Sequence, residues 1–191
     1  SFSDISIING NKWKGLWFNG SGSRLTSFAN LSWYSTGNNS LSFFASVKIG
    51  DFSKYSFDVG TYYANVGYFW NGTLWTPFLF VNKSGKLTQA FNYCDSSQIN
   101  WDNITTNEIK SAGWTYNAND SKIRFYMNGV LQDTKLPSWT GSCPAPNIQN
   151  GLLILWNDTS DRRFNGIIDE VRIYNRALSD SEISALYSAT K

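Results

Sequence analysis

Histidine is absent from the 191 residues, and glutamate occurs only at Glu108, Glu170 and Glu182. Without an imidazole there is no Ser-His-Asp triad, no Cys-His pair and no histidine-held metal. The two cysteines, Cys94 and Cys143, have no partners at zinc spacing, and no glycine-rich phosphate loop is present. Charge is scarce: 16% of residues are Asp, Glu, Lys or Arg, the net charge is +2, and the longest basic run is Arg162-Arg163. Binding to nucleic acid needs clustered Lys and Arg, so it is not expected. No apolar stretch reaches the length that spans a bilayer, so direct membrane insertion is not expected either. The opening Ser1-Phe2-Ser3-Asp4 lacks the charged and apolar regions of a secretion signal. The expectation is that a signal was removed or that the piece was cut from a longer chain. Internal repeats, linkers and low-complexity tracts are also missing.

What remains is a chain that folds: 41% hydrophobic and 17% aromatic residues, with length for one well-buried core. A single domain over 1–191 is expected. Strand signals dominate. Leu41 to Ile49 is an apolar run with a partial period of two, and Val66 to Trp70, Phe78 to Val81 and Gly151 to Trp156 are short apolar or aromatic runs between turn residues. Ile123 to Met127 and Val130 to Thr134 flank Asn128-Gly129, a pair that tolerates positive φ at both central positions and predicts a type I′ hairpin. From Ile167 to Tyr174 strict alternation puts Ile167, Asp169, Val171 and Ile173 on one face. Near the C-terminus, Ser179 and Glu182 fit a capping box, followed by Ile183, Leu186 and Tyr187 at helical spacing. One or two helical turns that pack back on the strands are expected.

Sequons begin at Asn19, Asn30, Asn38, Asn71, Asn82, Asn103, Asn119 and Asn157. Their glycosylation would place the chain in an oxidising compartment, where a Cys94–Cys143 disulfide is expected. The bridge would contribute about 4 kcal/mol on the chain-entropy model. The alternative is a pair of buried free thiols.

Three blocks resemble the LamG-like (laminin-G type) jelly-roll family of the concanavalin A-like superfamily. They are Gly15 to Leu25, Gly113 to Val130 with its Asn128-Gly129 turn, and Phe164 to Ile183, which contains Asp169-Glu170-Val171-Arg172. The blocks bracket residues 13 to 188. The resemblance implies an all-β, two-sheet antiparallel jelly-roll sandwich with a short C-terminal helix. The chain departs from the family in carrying Asn19 where an Asp is usual. Only Ser1 to Asn11 precede the entry strand, so the family's first strand is expected to be short, missing or supplied by a partner. Gly85 to Asn107 looks like an insertion, and its Cys94 would be stapled to the loop holding Cys143.

Glucanases of this broad fold use glutamates and aspartates alternating on one strand to set paired carboxylates on one face. None of the three glutamates sits in such a pattern, so an enzyme is not expected. Relatives that hold calcium do so through hard oxygen donors, which makes Asp158, Asp161 and Asp169 the candidate ligands. Asp169 has a second reading, an ion pair or a bond to backbone N–H groups. Sugars are recognised by aromatic rings stacked on pyranose faces, with amides nearby for the hydroxyls. Tyr63, Trp75 and Trp139 are the candidates for that role. The expected function is an extracellular or cell-surface module that binds glycans or glycoproteins. Two alternatives stand beside it. One is a structural subunit that self-assembles through an open sheet edge, suited to an archaeal or viral surface. The other is an accessory module of a glycoside hydrolase. The step from fold to binding rests on analogy.

Overall fold

The computed structural model describes residues 5–9, 14–19, 25–28, 39–51, 63–70, 75–82, 86–90, 98–101, 108–137, 152–155 and 164–190. In chain order the strands are β1 (Ile5–Asn9), β2 (Lys14–Asn19), β3 (Leu25–Phe28), β4 (Leu41–Ile49), β5 (Tyr63–Trp70), β6 (Trp75–Asn82), β7 (Leu87–Ala90), β8 (Gln98–Trp101), β9 (Ile109–Asn117), β10 (Lys122–Met127), β11 (Val130–Lys135), β12 (Leu152–Leu155) and β13 (Asn165–Tyr174). One helix, α1 (Asp180–Ala189), follows. The strands form two sheets, of order β1-β2-β13-β4-β9-β10-β11 and β3-β12-β5-β6-β7-β8. Every pairing is antiparallel. This is the expected sandwich.

β4 lies in the middle of the seven-stranded sheet, and both of its faces are covered. Leu41, Phe43, Ala45, Val47 and Ile49 alternate onto one face and are buried. On β9 they meet Ala112, Trp114 and Tyr116, and the Phe43 and Trp114 ring centroids are 6.0 Å apart. On the opposite face Phe44 joins Tyr126, Leu178 and Ile183 in a cluster flanked by Tyr174 and Leu186. That layer is the underside of α1. Burial on both faces is why β4 reads as a near-continuous apolar run. The Phe43 face is left to look inward, and Gln89 of β7 donates Nε2 to the Tyr126 carbonyl of β10 at 2.7 Å, a buried link from one sheet to the other.

Gly113 makes the outer layer possible. A Cβ there would stand 2.1 Å from Phe44 Cδ1, and both Phe44 and Tyr126 pair across from it. The two rings close over the bare backbone with centroids 6.1 Å apart. The β10–β11 turn has φ 53° at Asn128 and 79° at Gly129, as the Asn-Gly pair requires. Asn128 also clips the sheet: its N–H donates to the Ser111 carbonyl and its Oδ1 accepts from the Ser111 N–H.

One open expectation is resolved and two are revised. The first strand is present, as the five-residue edge strand β1 paired to β2, so of the alternatives the short strand is the one observed. The helix runs ten residues rather than one or two turns. On β13 the alternation fails, because a bulge shifts the register between Asp169 and Arg172 and Glu170 takes φ 51°. Asp169 pairs with Ser46, on the helix side, while Ile173 pairs with Phe43, on the inward side. Asp169 and Ile173 therefore sit on opposite faces. The segment expected as an insertion supplies β7 and β8, which extend the second sheet to its edge.

Candidate functional site

Two of the aromatic candidates begin strands of one hairpin in the six-stranded sheet. Tyr63 opens β5 opposite Asn82, and Trp75 opens β6 opposite Trp70. Trp70 stands seven residues after Tyr63. At about 3.3 Å per residue, the register sets the two candidates roughly 20 Å apart, at opposite ends of the hairpin. Trp139 lies outside the described residues, as do Cys94, Cys143, Asp158 and Asp161. Of the sequons, Asn30, Asn38, Asn71, Asn103 and Asn157 also lie outside them. Asn19 ends β2 opposite Asn165, and Asn82 ends β6. Asn119 is exposed in the turn between β9 and β10, where its N–H donates to Asn117 Oδ1.

Asp169 is the described member of the proposed metal set. Its Oδ1 accepts from the Glu170 N–H at 2.8 Å, and burial raises its pKa. The bulge brings that N–H into reach. Among the described residues no three His, Cys, Asp or Glu side chains gather as a metal site.

The groove that sequence reading missed lies where α1 meets β9 and β10. It measures about 640 Å³ and is lined by Thr115, Asn117, Arg124, Leu178, Ser179 and Glu182, among others. Its walls come from residues more than fifty positions apart, so no local pattern announces it; Arg124 and the capping box are its two readable parts. Arg124 is paired with Asp120 at 2.5 Å. The Tyr126 hydroxyl donates to Asp180 Oδ1 at 2.8 Å, and burial first, then that bond, push its pKa well above the usual phenol value. Glu182 completes the capping box and is gripped by both Arg176 nitrogens, at 2.6 and 2.9 Å. Arg176 and then Ser179 lower its pKa to about 2.

All three glutamates are thus committed. Glu108 pairs with Lys110, Glu170 with Arg172, and Glu182 with Arg176. They stand just before β9, on β13 and on α1. Along the groove Arg124 and Glu182 are each ion-paired within the fold, and the Asp180 carboxylate accepts from the Tyr126 hydroxyl.

A family model described as the Concanavalin A-like lectin/glucanases superfamily matches residues 62–184. The chain is similar to the botulinum-like toxin eBoNT/J of Enterococcus sp. (strain 3G1_DIV0629), with 37% identity over 71 residues, 37% of this chain and 5% of that protein. The chain therefore spans a small fraction of that relative's length. Among solved structures it resembles Trypanosoma rangeli sialidase in complex with sialic acid, with a TM-score of 0.68, 15% identity, and coverage of 97% of this chain and 28% of that one. It also resembles domain 4 of AbnA, a GH43 extracellular arabinanase from Geobacillus stearothermophilus, in complex with arabinotriose. There the TM-score is 0.63 and the identity 20%, over 96% of this chain and 81% of that one. At these identities the likenesses establish the fold.

Proposed function

Because the chain belongs to the Laminin_G_3 family of the Concanavalin A-like lectin/glucanases superfamily, we propose that it is an extracellular, non-catalytic module that recognises glycans. The observation that carries the reading is the match, over nearly the whole chain, to an arabinanase domain bound to arabinotriose. Pairing of every glutamate within the fold supports a binding role over hydrolysis. The toxin and the extracellular arabinanase among its relatives support a place outside the cell. Both of those proteins, and the sialidase, hold the similar region as part of a longer chain, which supports the accessory-module reading.

Tyr63, Trp75 and Trp139 are the proposed stacking residues. With Tyr63 and Trp75 at opposite ends of one hairpin, they would contact separate units of an oligosaccharide, or separate sites. Asp158, Asp161 and Asp169 are the proposed calcium ligands, through hard oxygen donors.

A broad glycan array, probed with calcium and then with chelator, tests the proposal. Selective binding is expected, with Trp75→Ala or Trp139→Ala lowering affinity about tenfold or more, the loss of roughly one stacking contact. Loss of signal with chelator would tie calcium to binding. A blank array under both conditions would overturn glycan recognition.

A further inference from the structure

Thr115 lies on the helix side of β9, between the inward-facing Trp114 and Tyr116, and is wholly buried. In the row across the sheet it stands between Ser42 of β4 and Arg124 of β10. The Ser42 hydroxyl is used twice: it donates to the Arg176 carbonyl at 2.7 Å and accepts from the Leu178 N–H at 2.9 Å. Thr115 Oγ1, in contrast, has no hydrogen-bond partner. The Tyr126 hydroxyl beside it gives its proton to Asp180, and so cannot donate to it. A buried polar atom left in this way is rare and calls for a reason. Thr115 lines the groove of about 640 Å³ between α1 and the sheet, a volume suited to a small molecule.

We propose that this groove binds a neutral saccharide unit, with Thr115 at its floor. The inference rests on the glycan reading and adds to it a site that Tyr63 and Trp75 do not line. Donors and acceptors face each other there. Arg124 and the Asn117 amide stand on the sheet, while Ser181 and the Asp180 and Glu182 carboxylates stand on the helix. A sugar hydroxyl donates and accepts at once, so it can bridge the two walls. Charge selects the class of sugar. Arg124 is paired with Asp120, and Glu182 with Arg176, so those charges cancel. Asp180 takes a neutral hydroxyl, and its negative charge remains. Asp180 and Glu182 in the first turn also answer the partial positive charge of the helix N-terminus. A sugar that carries its own carboxylate is therefore disfavoured.

Titration of the isotope-labelled chain with neutral methyl glycosides, followed by NMR, reads the site. Saturable shifts are expected at Thr115, Asn117, Asp180 and Ser181, with a Kd of about 1 mM because the contacts are hydrogen bonds. The acidic sugar sialic acid, as the charged control, should bind more weakly. Thr115→Val removes the hydroxyl at nearly constant volume. It should weaken binding about fivefold, the share of one hydrogen bond, while the melting temperature holds or rises, because the fold loses no bond. Asp180→Asn keeps the acceptor for Tyr126 and removes the charge, and should narrow the preference for neutral sugars over sialic acid. Shifts confined to the Tyr63 and Trp75 hairpin would leave the glycan reading standing and overturn the groove. Unweakened binding by Thr115→Val, or a Thr115→Val chain that melts well below the original, overturns it too. No shift anywhere, at glycoside concentrations well above that range, overturns both.

Discussion

Burial holds the Asp169 carboxyl above the usual carboxylate range, and the Glu170 N–H offsets only part of that. An acid whose pKa is raised by folding favours the folded state when protonated. Its contribution is therefore greatest at low pH and declines as pH rises through the folded pKa. Asp169→Asn keeps the acceptor and discards the charge. It should leave the protein slightly more stable than the original at pH 7, with the difference vanishing as pH falls below the carboxylate range. Thermal melts across pH check this, and the same melts with calcium address the ligand role. If Asp169 binds the ion, the variant loses any calcium-dependent rise in melting temperature. The residue's sequence context, Asp169-Glu170 in an alternating strand, predicts a plain pleat. Nothing in it reveals that Glu170 adopts positive φ, since that conformation favours Gly and Asn over Glu.

Helix α1 was legible as an element because its signal is local. Ser179 and Glu182 are three residues apart, and the reciprocal bonds of a capping box follow from that spacing. Its length was less legible, for Ser184, Ala185, Ser188 and Ala189 carry the helix onward without adding to its apolar face. Ser179→Ala should destabilise the docked helix by about 1 kcal/mol. The acid response belongs to Glu182. Its pKa is depressed to about 2 by Arg176 and Ser179, so the stability it lends is present above the unfolded carboxylate range and is lost as pH falls toward 2. Hydrogen exchange at Leu178 and Ile183 should accelerate over that interval before the sheets open. Exchange that is unchanged in the helix while the core opens would remove Glu182 from the account.

The whole molecule is stitched by strands distant in sequence. β13 sits between β2 and β4, and β12 between β3 and β5. Neighbouring hairpins such as β10–β11 could be read from turn residues, but these insertions could not: periodicity shows that a strand exists and not where it lies in a sheet. The resemblance of three blocks implied a two-sheet antiparallel sandwich without its strand order, and the fold agrees with the sandwich. The candidate glycan residues were legible only as residue types, since stacking depends on loop positions that no periodicity encodes. A chain ending before Asn165 should lose the strand that joins β2 to β4. It should show no cooperative melt and be cleaved rapidly by protease. A folded truncated chain would mean that the first sheet can close without β13. Refolding of the full chain should be slow, in milliseconds to seconds, because distant pairings must form first.

The bulge at Glu170 has a consequence for how this strand tolerates change. It is a phase shift of half a period, written into a signal that otherwise repeats every two residues. Removing one codon there would delete the extra residue, restore the unbroken pleat and leave Arg172, Ile173 and Tyr174 against Phe44, Phe43 and Ser42 as they are. The change would be invisible in composition and nearly so in length. A single small deletion can therefore straighten this central strand without readdressing its end, whereas a reading that insists on an unbroken period through the full sequence misplaces Ile173 and Tyr174.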